Sequence, residues 1–202
     1  SWIGVKRTKI DSVTAGDYIS TTSTSDVLVT GMTVSPESGT YIVSFKADMT
    51  TPFSSDHGVM NLNRIYQALK FMPGGLPHGL VFGDGEVLSP GVYDVTGATS
   101  ISGMLTMDGG GDPNSVFIIR STGAFTTAAT AGVVLTNGAR SNNIFWLSET
   151  TLSTGDGSIM KGTLVSREGA IALGANTNLE GRILTKAGAL SIGAGCILTA
   201  PS

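Results

Sequence analysis

The 202-residue sequence has a single cysteine, Cys196, so no disulfide can form within the chain and a cysteine-based zinc site is excluded. Charged residues make up only 13% of it and the formal net charge is −3, which removes the clustered Lys and Arg that nucleic-acid binding needs. No run of about 18 apolar residues is present, so no membrane span is expected. The opening Ser1-Trp2-Ile3-Gly4-Val5-Lys6 lacks the long apolar stretch of a signal peptide, so any export signal is expected to have been removed already. Asn-x-Ser/Thr sequons are missing too, and N-glycosylation is not expected. What is abundant is small: 28 Gly, 25 Thr and 22 Ser. A charge-poor chain of this size and composition fits a single β-rich domain that is secreted or sits at the cell surface.

The C-terminal half repeats. Residues 151–169 (TLSTGDGSIMKGTLVSREG), 170–188 (AIALGANTNLEGRILTKAG) and 189–199 (ALSIGAGCILT) follow one another in a step of 19 residues. The step superposes Leu152, Ile171 and Leu190, then Gly155, Gly174 and Gly193, then Met160, Leu179 and Leu198. Short alternating runs separated by glycines predict a parallel β-solenoid whose coils have three strands and three corners. Helical 3.6-residue periodicity is absent from this region. Upstream, SNNIFWLSET (141–150) aligns with KGTLVSREG, placing Phe145 over Leu164 and Trp146 over Val165. AFTTAATAGVVL (124–135) aligns with TLSTGDGSIMKG, and TSISGMLTMDG (99–109) with SVFIIRSTG (115–123) makes a shorter coil. About four and a half coils are therefore expected over residues 88–200, a rod on the order of 20 Å long at about 4.8 Å per stacked strand.

Alternation assigns each strand two faces. In the first strand of each coil Phe125, Leu152, Ile171 and Leu190 point inward. Ser100, Ala124, Thr151, Ala170 and Ala189 form one outward ladder, and Ser102, Thr126, Ser153, Ala172 and Ser191 a second. This first face carries no charge and nothing larger than Thr. The second strand shows a mixed surface of Ile159, Lys161, Asn178, Glu180 and Ile197. The third strand, as in Ile144-Phe145-Trp146-Leu147, is apolar on both sides and needs a cover. Residues 57–72 supply one: Leu62, Ile65, Tyr66, Leu69 and Met72 make a helical stripe, with Asp56 as N-cap and Pro73-Gly74-Gly75 as the stop. At 1.5 Å per residue this helix is about 24 Å long, close to the height of the rod.

The stretches LSPGVYDV (88–95), LTMDGGGDPNSVFIIRSTGAFTTAA (105–129), VVLTNGARSNNIFW (133–146), MKGTL (160–164) and LEGRIL (179–184) resemble the microbial ice-binding protein family, in the family's order, over residues 56–200. The resemblance implies an irregular right-handed β-solenoid, mainly β, with a long α-helix along one side. It also implies an N-terminal segment stacked on the last coil, for which MTVSPESGTYIVSFKADM (32–49) is the candidate. Residues 1–30 depart from the family pattern and are set apart as an arm, leaving 31–202 as the solenoid domain. The implied activity is ice binding through a flat face of small residues with a Thr-Ala/Gly-x-Thr/Asn corner motif. Thr127-Ala128-Ala129-Thr130 fits that motif fully and Leu173-Gly174-Ala175-Asn176 in part; Thr154-Gly155-Asp156-Gly157 and Ile192-Gly193-Ala194-Gly195 fit less well. The expected ice-contacting set is thus the two outward ladders with Thr127 and Thr130, and the expected partner is the ice surface. An independent argument agrees. Ladders about 4.8 Å apart, with outward residues about 6.7 Å apart along each strand, make a rigid grid able to hold water in a lattice-like array.

Other chemistry finds little support. Asp108 and Asp112 in DGGGDPN read as turn-forming rather than catalytic or calcium-binding carboxylates. FGDGE (82–86) and GGLPHGL (74–80) are glycine-rich loops without the Lys-Ser/Thr of a phosphate cradle. His57 and His78 stand alone, and Cys196 aligns with inward Ser158 and Thr177 as a small buried residue. Phe145 and Trp146 are assigned to packing beneath the helix. No enzyme, metal or other cofactor is expected. The rival reading is a self-assembling filament or adhesion subunit. In it, the apolar arm residues Trp2, Ile3 and Val5 add a strand to a neighbouring copy at the open solenoid end.

Overall fold

The computed structural model describes residues 55–202, and the side chains of residues 62–202. The arm with Trp2, Ile3 and Val5, the segment 32–49 and the His57 side chain lie outside the described residues. One α-helix, α1 (Ser55–Lys70), leads into six stacked coils. Each coil runs through the third face, the first face and then the second. Coil 1 is β1 (Gly75–Pro77), β2 (Val81–Gly83) and β3 (Val87–Leu88), and coil 2 is β4 (Gly91–Val95), β5 (Thr99–Ser102) and β6 (Met104–Asp108). Coil 3 is β7 (Phe117–Ser121), β8 (Phe125–Thr127) and β9 (Gly132–Thr136). Coils 4 to 6 share long strands: β10 (Ile144–Ser148), β11 (Leu152–Ser153), β12 (Ile159–Ser166), β13 (Ile171–Leu173), β14 (Asn178–Thr185), β15 (Leu190–Ile192) and β16 (Ile197–Thr199). β12 and β14 each run from the second face of one coil to the third face of the next, bending at Gly162 and Gly181. All pairings are parallel and the coils stack in chain order.

The solenoid therefore starts at Gly75, one coil earlier than the expected start at 88. The two stretches read as glycine-rich loops, 74–80 and 82–86, hold β1 and β2. Glycine in β1 leaves room for the Asp94 carboxylate of the next coil, which a Cβ on Gly75 would displace from Arg120. The open side of coil 1 is closed by His78, whose ring stacks on Phe82 at 3.8 Å and whose Nε2 lies 2.7 Å from Glu86 Oε1.

Inside the coils Ile101, Phe117, Phe125, Trp146, Leu152, Met160 and Ile171 are fully buried. At about 25 cal/mol per Å² of apolar surface, each such side chain contributes on the order of 2 kcal/mol. Two register details differ from the sequence alignment. Trp146 pairs with Leu164 and Phe145 with Thr163, one residue off the expected match. A slip of one exchanges faces: Trp146 points into the solenoid, 5.1 Å from Phe125, and donates Nε1–H to Lys161 O at 2.8 Å, while Phe145 packs beneath the helix. In coil 2, Ser100 pairs with Thr126 and not with Ala124, because Thr99 fills the inward position opposite Phe125. A polar residue is tolerated there since the Thr99 hydroxyl donates to Ser121 Oγ at 2.9 Å.

Helix α1 covers the third face as expected, running antiparallel to the order of the coils. Tyr66 and Leu69 are buried against Val92, Ile118, Leu147 and Val165, with Leu62 at the margin. The stripe is narrower than its sequence periodicity, for Ile65 is 44% and Met72 39% exposed. The helix ends at Lys70, before Pro73, and Asp56 lies within its first turn instead of capping it. Its C-terminus is held by Arg120 of β7. One Nη1 donates to Lys70 O at 2.6 Å and Met72 O at 2.8 Å, while Nε and Nη2 grip Asp94 at 2.6 and 2.8 Å. The fixed fork of the guanidinium lets one side chain satisfy helix-end carbonyls and a carboxylate together.

Candidate functional site

The first face is a six-stranded parallel sheet, β2 to β15 in chain order, whose strands are two to four residues long. Its central outward ladder is Val81, Ser100, Thr126, Ser153, Ala172 and Ser191, each in direct register with the next. A flanking ladder of Ala124, Thr151, Ala170 and Ala189 is joined by backbone bonds from Phe125 N to Thr151 O, Leu152 N to Ala170 O and Ile171 N to Ala189 O, all 2.9–3.0 Å. Ser102 lies beyond the central ladder, opposite Gly83. Ten of the twelve expected contact residues therefore share one surface, and Thr130 lies at its corner. Thr127 does not: it is buried, because alternation after outward Thr126 turns it inward. Val81, 54% exposed, is the member that sequence reasoning missed. Its signal was the match of Val81-Phe82-Gly83 to Ser100-Ile101-Ser102.

At the corner between the first and second faces every coil places a residue in the left-handed region: Asp84 (between Gly83 and Gly85, also at positive φ), Gly103, Thr130, Gly157, Asn176 and Gly195. This is the last position of the four-residue motif, and it explains why Asn and Gly recur there. Thr130, at φ +59°, is the exception: a β-branched residue exposed at the corner under backbone strain. Asp156 brings a carboxylate to the same corner and accepts Ala175 N–H at 2.8 Å.

The other faces differ. The second face exposes Val87, Val134, Ile159 and Ile197 but is crossed by a Lys161–Glu180 ion pair at 2.7 Å. Glu180 also accepts hydrogen bonds from Ser141 and Ser202. Together with Lys161, these bonds hold its carboxyl down at about 2. On the third face Glu149 binds Lys70, Tyr66 and Arg167. Burial would raise its pKa, but these hydrogen bonds prevail and lower it to about 2. Burial, followed by the bond to Glu149, pushes the Tyr66 phenol well up. These charged groups pair with one another and tie the helix to the coils. Asp108 and Asp112 accept Gly110 N–H and Asn114 N–H, each at 2.8 Å, as the turn reading requires. The Cys196 thiol faces Gly174 O at 3.1 Å. No cluster of potential metal ligands occurs among the described residues, and no helix among them is long and apolar enough to cross a membrane.

Comparison with known proteins places this architecture. An ice-binding protein of Nostoc sp. (strain HG1) is 40% identical over 72 residues, 35% of this chain and 27% of the relative. The crystal structure of an ice-binding protein from an Antarctic Flavobacteriaceae bacterium superposes with a TM-score of 0.69 at 37% identity, covering 73% of this chain and 35% of that one. The DUF3494 domain of Shewanella frigidimarina ice-binding protein 1 gives 0.66 at 26% identity, covering 72% and 62%. The chain thus spans about a quarter of the length of the Nostoc relative and about a third of the Flavobacteriaceae protein. The ice-binding-like family model matches residues 76–197, more than half of the sequence and every one of the six coils, and the chain belongs to that family.

Proposed function

We propose that this chain binds ice through its first face and does so outside the cell. The observation that carries the reading is the in-register, uncharged array Ser100, Thr126, Ser153, Ala172, Ser191 with its flanking ladder of Ala124, Thr151, Ala170 and Ala189. Liquid water gains nothing from a regular surface, whereas ice needs one. Strand spacing of about 4.8 Å and a two-residue repeat of about 6.7 Å present methyls and hydroxyls on a fixed lattice, with the backbone entropy lost at folding and not at binding. The family relationship supports the activity. Neither the second face, with its ion pair, nor the third, beneath the helix, offers a comparable surface. Membership of a binding-protein family accords with a non-enzymatic role.

The test is an ice recrystallisation assay with the full chain, together with Ala172→Tyr and Thr151→Tyr. Each places a ring in the middle of the array. Both are expected to lose most of the inhibition while their melting temperatures stay within about 2 °C of the parent, as for surface substitutions. Full inhibition by both variants would exclude the first face. Unaltered ice growth by the parent chain would exclude ice binding altogether and turn attention to self-assembly, which light scattering and electron microscopy detect directly.

A further inference from the structure

The first face is bracketed on both sides by buried hydroxyls, and we infer that these are the positioning residues that hold it flat for ice. The inference rests on the ice-binding reading but concerns residues that never touch the ice. On the side where the chain enters the face, Ser121, Ser148, Ser166 and Thr185 occupy one register position of the third-face strands. The three serines are at most 3% exposed. Each hydroxyl does two things. It accepts an N–H from its own corner: Gly123 N at 3.3 Å, Thr150 N at 3.2 Å, Gly169 N at 3.2 Å and Gly188 N at 3.1 Å. It also reaches a corner carbonyl of the preceding coil: Gly97 O at 2.8 Å, Gly123 O at 2.9 Å, Thr150 O, and Gly169 O at 3.0 Å. Five successive corners, from Gly97 to Gly188, are thereby fixed to one another.

Where the chain leaves the face the device is different but serves the same end. Thr127 Oγ1 accepts Gly155 N–H of the next coil at 3.0 Å, sharing it with the Thr127 carbonyl at 3.0 Å, and lies 2.8 Å from Ser158 Oγ. Thr154 repeats this one coil on, sharing Gly174 N–H between its hydroxyl at 3.0 Å and its carbonyl at 3.1 Å and meeting Thr177 Oγ1 at 2.9 Å. The first Thr of the corner motif thus works from inside the solenoid. The third corner is turned without such a ladder in coils 4 and 5, where β12 and β14 bend at Gly162 and Gly181 and the strand simply continues. A buried hydroxyl that bonds two coils fixes their relative height. Four rungs on the entry side, and two on the exit side in coils 3 and 4, fix the edges of strands only a few residues long. The surface between them cannot ripple without breaking these bonds between coils, whose hydroxyls are buried in the three serines and in Thr127 and Thr154.

The variants that test this are Thr127→Val, which keeps the shape and deletes the hydroxyl, Thr127→Ser, which keeps the hydroxyl, and Ser148→Ala on the opposite ladder. Ice recrystallisation inhibition is measured beside the hydrogen exchange of the Gly155 and Thr150 amides and the circular dichroism of each variant. Thr127→Val is expected to lose at least about fivefold in activity while still folded and, since the Thr127 carbonyl remains as an acceptor, to speed Gly155 exchange by at least about threefold. Thr127→Ser stays within about twofold on both counts. Ser148→Ala is expected to act likewise at Thr150, and carries the test alone if Thr127→Val does not fold. Full activity in folded Thr127→Val or Ser148→Ala, or equal losses in Thr127→Ser and Thr127→Val, overturns the proposal. If the parent chain leaves ice unaltered, the ice reading falls and exchange alone judges the ladders: unchanged protection of Gly155 and Thr150 in the hydroxyl-less variants refutes them as well.

Discussion

Replacing Arg120 with Met should destabilise the chain by about 3 kcal/mol, and the structure says where that energy lies. The guanidinium donates to Lys70 O and Met72 O at the helix end and grips Asp94 through two further bonds. Its side chain is only 15% exposed, whereas that of Asp94 is 45% exposed. Solvent screening therefore limits the ion pair to about 1 kcal/mol. Charge-assisted bonds to the helix carbonyls supply the larger share, about 2 kcal/mol, most of it at Lys70 O, which is part-buried where Met72 is exposed. Met retains most of the packing volume, which isolates the polar loss. In urea unfolding, Arg120→Met should lose about 3 kcal/mol, corresponding to a Tm lower by roughly 6–12 °C for a domain of this size. Asp94→Asn, which spares the cap, should lose about 1 kcal/mol. Exchange of the Phe71 amide, bonded to Gln67 O at 3.0 Å, should quicken in the first variant and not in the second. The reasoning is refuted if Asp94→Asn costs as much as Arg120→Met, for the ion pair would then be the clamp and the helix cap incidental.

Three further outcomes are expected. Glu149 has its carboxyl lowered from 4.5 to about 2, so its contribution is fully present above pH 4.5 and lost as the pH falls towards 2. Thermal melts between pH 7 and pH 2.5 should show Glu149→Gln with a flatter pH dependence than the parent, by up to about 3 kcal/mol; parallel curves would remove Glu149 from the account. Thr130→Asn should raise stability by about 1 kcal/mol, because Asn already occupies the equivalent left-handed corner at Asn176; an unchanged or lower Tm would show that the hydroxyl compensates the strain. Gly181→Ala should cost about 3 kcal/mol or prevent folding, since its Cβ would strike the Gly162 carbonyl in the coil above, as a failure to express or a sharply lowered Tm would reveal.

The architecture was legible where the repeat is regular. From Thr151 on, the 19-residue step gave the registers Leu152–Ile171–Leu190 and Met160–Leu179–Leu198 that the sheets display. It failed where coils vary in length. In coil 2 the strand holds two inward residues, Thr99 and Ile101, and nothing local says which of them lies opposite Phe125. At Ile144-Phe145-Trp146-Leu147 both faces are apolar, so hydrophobicity cannot choose between registers one residue apart. Thr127 was assigned outward because the motif reads as one unit, whereas alternation within β8 turns its first residue inward. The clamp of Arg120 and Asp94 was invisible for another reason. It joins residues 26 apart across neighbouring strands to a helix about 50 residues away, a meeting that only the folded chain creates.

The helix has a consequence for how the molecule comes apart. A stack of coils in which each touches only its neighbours is a one-dimensional array, and such arrays fray from their ends one unit at a time. Here α1 lies across the stack: Leu69 and Tyr66 pack on residues of coils 2 to 5, and Lys70 pairs with Glu149 from 79 positions away in the chain. Losing one coil in the middle therefore means losing the helix from all of them. The array acquires the all-or-none character of a globular domain. For the proposed ice-binding face, which needs many rows aligned at once, a partly unzipped form would be worthless, and a helix tied to four coils disfavours that form.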